Sequence, residues 1–115
     1  MDDFQCMLRR LTIRDDRFIA TVLTSDEANA AASCLDGKAH ALVRLGALIA
    51  VDAAPQSYTA CVEAARLAGA TDEEIAGTLV ATMSVVGLPR VVSAAPKLGL
   101  ALGYDVDAAL ESTAS

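Results

Sequence analysis

Residues 64–89 read AARLAGATDEEIAGTLVATMSVVGLP, and their punctuation decides the fold class. Gly69 suits the left-handed residue that ends a helix. Thr71 with Glu74 three positions later matches the capping box, in which each side chain satisfies the other's free backbone amide. Asp72, Glu73 and Glu74 place negative charge on the positive end of the helix dipole. Gly87 then stops this helix and Pro89 suits the first turn of the next. The stretch therefore predicts helix, turn, helix, break, helix.

Working outward, GKAHALVRLGALIAV (residues 37–51) puts Leu42, Leu45 and Ile49 on a broad apolar surface, with Asp52 at the following turn. Its second half is apolar all round, the pattern of a helix buried on several sides. PQSYTACVEAARLAG (residues 55–69) has Pro55 suited to a first helical turn and a helical i, i+3 pair in Glu63 and Arg66. Together these segments form a helical hairpin. Downstream, PRVVSAAPKLGLALG (residues 89–103) reads as helix, although Pro96 removes a backbone hydrogen bond and is expected to kink or divide it. Asp105 can cap a short last helix, DVDAALES. Upstream, Thr24 with Glu27 offers a second capping box, and Phe4 to Leu23 reads as one or two helices around the charged turn Arg14 to Arg17. The expected architecture is an all-α domain of about six helices with a central helical hairpin.

Composition narrows the function classes. The 115 residues suit one domain, and 54% hydrophobic residues with only 3% aromatics imply a core of Ala, Val, Leu and Ile. Nine Lys and Arg against fifteen Asp and Glu leave a net charge of -6. With no basic cluster beyond Arg9 and Arg10, nucleic acid is not an expected partner. The acidic balance disfavours anionic membranes, and the uncharged run Ile75 to Leu88 falls short of the roughly 20 residues that span a bilayer. Cys6, Cys34 and Cys61 contain no C-x-x-C and the chain has one histidine, so neither a zinc site nor a disulfide framework is expected, and no metal or cofactor is implied. The opening MDDFQCMLRR lacks the pattern of a secretory signal, and cytoplasmic localisation with reduced thiols is the expectation. Two helices apolar on nearly every face are much for a chain this size to enclose, since a small domain removes only about 65% of its unfolded surface from water. A homo-oligomer that buries the remainder is therefore expected.

Residues 35–102, LDGKAHALVRLGALIAVDAAPQSYTACVEAARLAGATDEEIAGTLVATMSVVGLPRVVSAAPKLGLAL, resemble the carboxymuconolactone decarboxylase domain, the superfamily that includes alkylhydroperoxidase D type proteins. The helix, AGATDEEI turn, helix and GLP break carry the likeness. It implies an alkylhydroperoxidase D-like fold assembling as trimers or hexamers. On this reading residues 1–115 are one domain, with an N-terminal helical extension (1–34), the family-like core (35–102) and a C-terminal helix and tail (103–115). In redox relatives the second hairpin helix carries C-x-x-C followed by histidine, with a glutamate upstream. The resemblance aligns these positions with Ala54, Ser57, Cys61 and the neighbourhood of Ala41 or Leu42. None of the four family residues is present, and the decarboxylase branch's histidine also falls at Cys61. The motif is degenerate for both chemistries.

The remaining candidates each carry two readings. Cys61 replaces a proton-transfer position and as a nucleophile would need a lowered pKa, for which His40 or Arg44 is the available neighbour. Otherwise it is a small buried hydrophobe. His40 is a candidate acid or base, or a hydrogen-bonded structural residue. Ser57, Tyr58 and Thr59 could line a ligand pocket, and equally suit an exposed first helical turn. Thr78, Thr82 and Ser84 can back-bond to the preceding turn without functional meaning. Arg90 could hold an anion, reach across a subunit contact or form a surface ion pair. Cys6 and Cys34 have no partner pattern. Three functions are weighed: a small-molecule-binding oligomer with a degenerate redox motif and a small apolar pocket near Ser57, Cys61 and His40, a thiol-dependent peroxidase using Cys61, and a structural or partner-binding module.

Overall fold

The computed structural model describes residues 3–114; residues 1, 2 and 115, the ends of the acidic N-terminal segment and of the C-terminal tail, lie outside them. The described residues form eight helices and no strand, two more helices than the approximate count expected from the sequence. The difference lies at the N-terminus, and the chain divides into two compact units, Met1–Asp36 and Gly37–Ser115.

The first unit holds α1 (Asp3–Thr12), α2 (Asp16–Thr24) and α3 (Asp26–Ser33). Arg14 turns left-handed after α1 (φ 57), and the Arg14 and Asp15 amides donate back to the carbonyls of Leu11 and Arg10, the Schellman arrangement. Asp15 then caps α2 by accepting the Phe18 amide at 3.0 Å, and the Arg10 guanidinium lies 5.6 Å from the centre of the Phe18 ring. The expected Thr24–Glu27 capping box does not form. Thr24 Oγ1 donates to Ala20 O at 2.7 Å and remains helical, while Ser25 is the N-cap, its Oγ accepting the Ala28 amide at 3.1 Å. Ser25 leaves Glu27 one position short of where a capping-box glutamate must sit, and α3 starts one residue later than the Thr24 cap predicts. Among the described residues of this unit none is buried, because three helices of ten, nine and eight residues are too short to enclose a core of their own.

The second unit is built on α4 (Gly37–Ala50), α5 (Pro55–Leu67), α6 (Asp72–Val86) and α7 (Leu88–Leu102), followed by α8 (Val106–Ala114). The α4–α5 hairpin forms as expected, α6 packs on α4, and α7 packs on α5 and α6. Leu45 and Ile49 of α4, Tyr58, Val62 and Ala65 of α5, Ile75 of α6, and Val91, Ala94 and Leu98 of α7 form one continuous core. Each fully buried Leu or Ile contributes about 1.5–3 kcal/mol.

Helix ends follow the local chemistry. The Thr71–Glu74 capping box has both bonds in place, Thr71 N to Glu74 Oε1 at 2.9 Å and Glu74 N to Thr71 Oγ1 at 3.1 Å. Gly69 has φ 94, and the amides of Gly69 and Ala70 close the α5 terminus on Arg66 O and Ala65 O. Arg66 does not use Glu63 as its partner in this arrangement. Its guanidinium grips Asp72 through both carboxylate oxygens (3.0 and 3.2 Å) and donates to Leu102 O at 3.0 Å, fastening the α5–α6 turn to the end of α7. Pro96 does not divide α7, which runs unbroken from Leu88 to Leu102. Val91, Ala94 and Leu98 recur at helical spacing, and their core contacts hold the helix on both sides of the proline.

The helix predicted to be buried on several sides, α4, buries Ala41, Leu45 and Ile49 but leaves Val43 60% exposed, and the apolar α6 buries only Ile75 and Thr78, with Val80 and Val85 73% and 85% exposed. No helix among the described residues is long and apolar enough to cross a membrane.

Candidate functional site

An open groove of about 520 Å³ runs between α4 and α6. Glu74, Gly77, Thr78, Ala81 and Thr82 line one wall, and their i, i+3, i+4, i+7, i+8 spacing forms one stripe of α6. Leu42, Val43 and Gly46 of α4 line the other wall. Gly46 permits the close approach of the two helices, since a Cβ there would stand 3.3 Å from Thr82 Cγ2. Gly77 is a different kind of glycine: a Cβ added to it would meet nothing within 4 Å and would point into open space.

The groove's polar groups are oriented by the helix itself. Thr82 Oγ1 donates to Thr78 O at 2.8 Å, and Thr78 Oγ1 points to Glu74 O at 3.4 Å, the back-bonding expected of hydroxyls inside a helix. At the mouth, Glu74 Oε2 accepts from Lys38 Nζ at 2.9 Å. The Thr71 amide, foremost, and then Lys38 hold the Glu74 carboxyl below its ordinary pKa.

The residues singled out from the sequence lie elsewhere in this unit. Cys61 is half-buried on α5, and its thiol donates to Ala41 O at 3.5 Å, so α4 and α5 meet beside His40. Burial pushes the Cys61 thiol above its ordinary value, and the opposing charge of Arg44 is the smaller effect. A thiol raised in this way is held mainly in the protonated, less reactive form at neutral pH. His40 is half-buried in the first turns of α4, whereas Ser57 and Thr59 are exposed on the first turns of α5. Tyr58 is fully buried, and its hydroxyl has no hydrogen-bond partner.

Arg90 and Tyr58 instead share the neighbourhood of Asp52, a residue the sequence marked only as a turn. Asp52 ends α4 in the left-handed region (φ 55), with the Asp52 and Ala53 amides closing on Ile49 O and Leu48 O. Its carboxylate accepts Ser93 Oγ at 2.7 Å and Lys97 Nζ at 3.0 Å, and pairs with Arg90 Nη1 at 3.5 Å. Lys97 also donates to Ala53 O at 3.1 Å. The Ser93 and Lys97 hydrogen bonds depress the Asp52 pKa, and burial, helped by the negative charge of Asp52, raises that of Tyr58. The signal that could have revealed this cluster is the spacing of Arg90, Ser93 and Lys97, which puts all three on one face of α7. It fastens the α4–α5 turn to α7 with its ionic groups mutually paired, so structure is its evident role.

Among the described residues, no three His, Cys, Asp or Glu side chains gather into a group that could hold a metal ion. Cys6, Cys34 and Cys61 all carry free thiols. Compared with known proteins, the chain matches no family model, no curated protein and no solved structure.

Proposed function

We propose that this protein is a carboxymuconolactone decarboxylase-like member without the redox pair, acting in the cytoplasm as a homo-oligomer that binds a small organic molecule in the α4–α6 groove. The observation that carries the reading is the groove itself: an open, largely apolar groove of about 520 Å³ punctuated by Glu74, Thr78 and Thr82. That combination of an apolar body and a few placed polar groups is what small-ligand sites share. Val43 in the groove wall and Val85, further along the same stripe of α6, remain exposed, and assembly into a trimer or hexamer over this face would enclose it. Binding is favoured over a Cys61 peroxidase because the thiol is held protonated by burial and is hydrogen-bonded to a carbonyl.

The test is thermal stabilisation by a panel of small aromatic and alicyclic compounds, measured on wild type, Cys61→Ala and Gly77→Leu. A ligand present at a hundred times its Kd adds about 2.7 kcal/mol to stability. Wild type and Cys61→Ala should be stabilised equally, whereas the leucine side chain projecting from position 77 should fill the groove and abolish the shift. Hydroperoxide turnover that disappears in Cys61→Ala would overturn the reading in favour of the peroxidase.

A further inference from the structure

We infer that the ligand of the α4–α6 groove carries a hydrogen-bond-donating head, an ammonium group above all, on an apolar body, and that carboxylates are disfavoured. The inference rests on the groove being a binding site and concerns which chemistry it accepts. Its lining offers acceptors and almost no donors. The Thr82 proton is committed to Thr78 O at 2.8 Å, leaving the oxygen's lone pairs for a ligand. Thr78 points the same way at a longer 3.4 Å. Backbone amides in the middle of α4 and α6 are engaged in the helix ladder.

Glu74 is the charged group of the lining. Each of its oxygens already accepts one bond, from the Thr71 amide and from Lys38 Nζ, and retains a further lone pair. Lys38, the nearby cation, is bonded to Glu74 and does not line the groove. A carboxylate entering this channel would leave its oxygens facing Glu74 and two hydroxyl oxygens, unpaired and next to like charge. An ammonium at the Glu74 end would find acceptors on Glu74 and, one turn along, the Thr78 hydroxyl, while its hydrocarbon extends along Leu42, Val43 and Ala81. Hydrogen bonds involving a charged partner are the stronger class, which sets the order of preference.

The discriminating measurement is an NMR titration of the whole protein with benzylamine, benzyl alcohol and benzoate, matched in ring and differing in head. The expected order is amine, then alcohol, then carboxylate, with the amine bound at least about tenfold tighter than the carboxylate, equivalent to about 1.4 kcal/mol. Glu74→Gln keeps the capping box, which glutamine also completes, and should shrink that difference several-fold while leaving the fold intact. Benzoate binding as tightly as benzylamine, with shifts at Gly77 and Ala81, would overturn the inference and leave the groove as a binding site. If no compound shifts those resonances while they respond to protein concentration, a second copy occupies the groove, and both the inference and the binding reading fail.

Discussion

Two glycine-to-alanine substitutions, on α7 and on α6, make the same chemical change in opposite surroundings. Gly99 is buried where α7 meets the turn into α8, and a Cβ there would stand 2.9 Å from Tyr104 O and 2.9 Å from Val106 Cγ2. Val106 can rotate, but Tyr104 O belongs to a backbone that closes the helix, with Tyr104 N donating to Gly99 O at 2.8 Å and Gly103 N to Leu100 O at 3.0 Å. The terminus must therefore shift, an overpacking cost of about 1–3 kcal/mol. Alanine's better helix propensity returns about 1 kcal/mol. Gly99→Ala should thus lose about 1 kcal/mol, whereas Gly77→Ala, whose Cβ meets nothing within 4 Å, should gain up to about 1 kcal/mol. The gap between the variants, about 2 kcal/mol, isolates the contact because the propensity contribution cancels. Urea unfolding followed by far-ultraviolet circular dichroism, at one protein concentration to hold any association constant, measures it. Equal stability of the two variants would refute the close approach at Gly99.

The Asp52 carboxyl titrates below its ordinary value of 3.8 in the folded protein, so its contribution is present above that pH and is lost as pH falls through the lower folded value. Asp52→Asn tolerates the left-handed backbone but cannot form the ion pairs, so it should flatten the acid limb of a thermal-stability profile. Tyr58→Phe removes a buried hydroxyl without a partner, and should raise stability by up to about 1 kcal/mol or leave it unchanged in the same urea assay. The Cys61 thiol should alkylate with a midpoint above the ordinary 9.0, read by mass spectrometry of its peptide across pH. A midpoint below that value would restore the case for a nucleophile.

The helices of the second unit were legible because their signals are local. Thr71 and Glu74 satisfy each other's amides across three residues, Gly69 adopts the turn its missing side chain permits, and Pro55 starts α5 with a backbone that needs no donor. The same grammar misplaced the α3 start by one residue: Thr24 and Ser25 are both competent caps, and Thr24 resolved the choice by bonding back to Ala20 O. Pro96 predicts a kink or a division because the local penalty is real, yet α7 runs through it undivided, held by the core contacts of Val91, Ala94 and Leu98.

The candidate site was harder to read. Thr78 and Thr82 were visible as polar punctuation of an apolar helix, but no periodicity shows that α4 passes beside them. The groove exists because Gly46, thirty-odd positions earlier, brings the two helices together at Thr82. The sequence offers Tyr58 as a pocket residue and Arg90 as an anion contact or a surface ion pair, and packing puts the first in the core and the second in an ion cluster around Asp52.

By itself, then, the sequence determined the helical class, the hairpin and most helix boundaries, since capping, glycine turns and apolar spacing act within about one turn of the chain. Only the tertiary structure decided which face of α6 borders a groove, which charges meet Asp52, and that burial rather than Arg44 governs the Cys61 thiol. These outcomes depend on residues far apart in sequence, whose distance and dielectric surroundings are set when the helices pack.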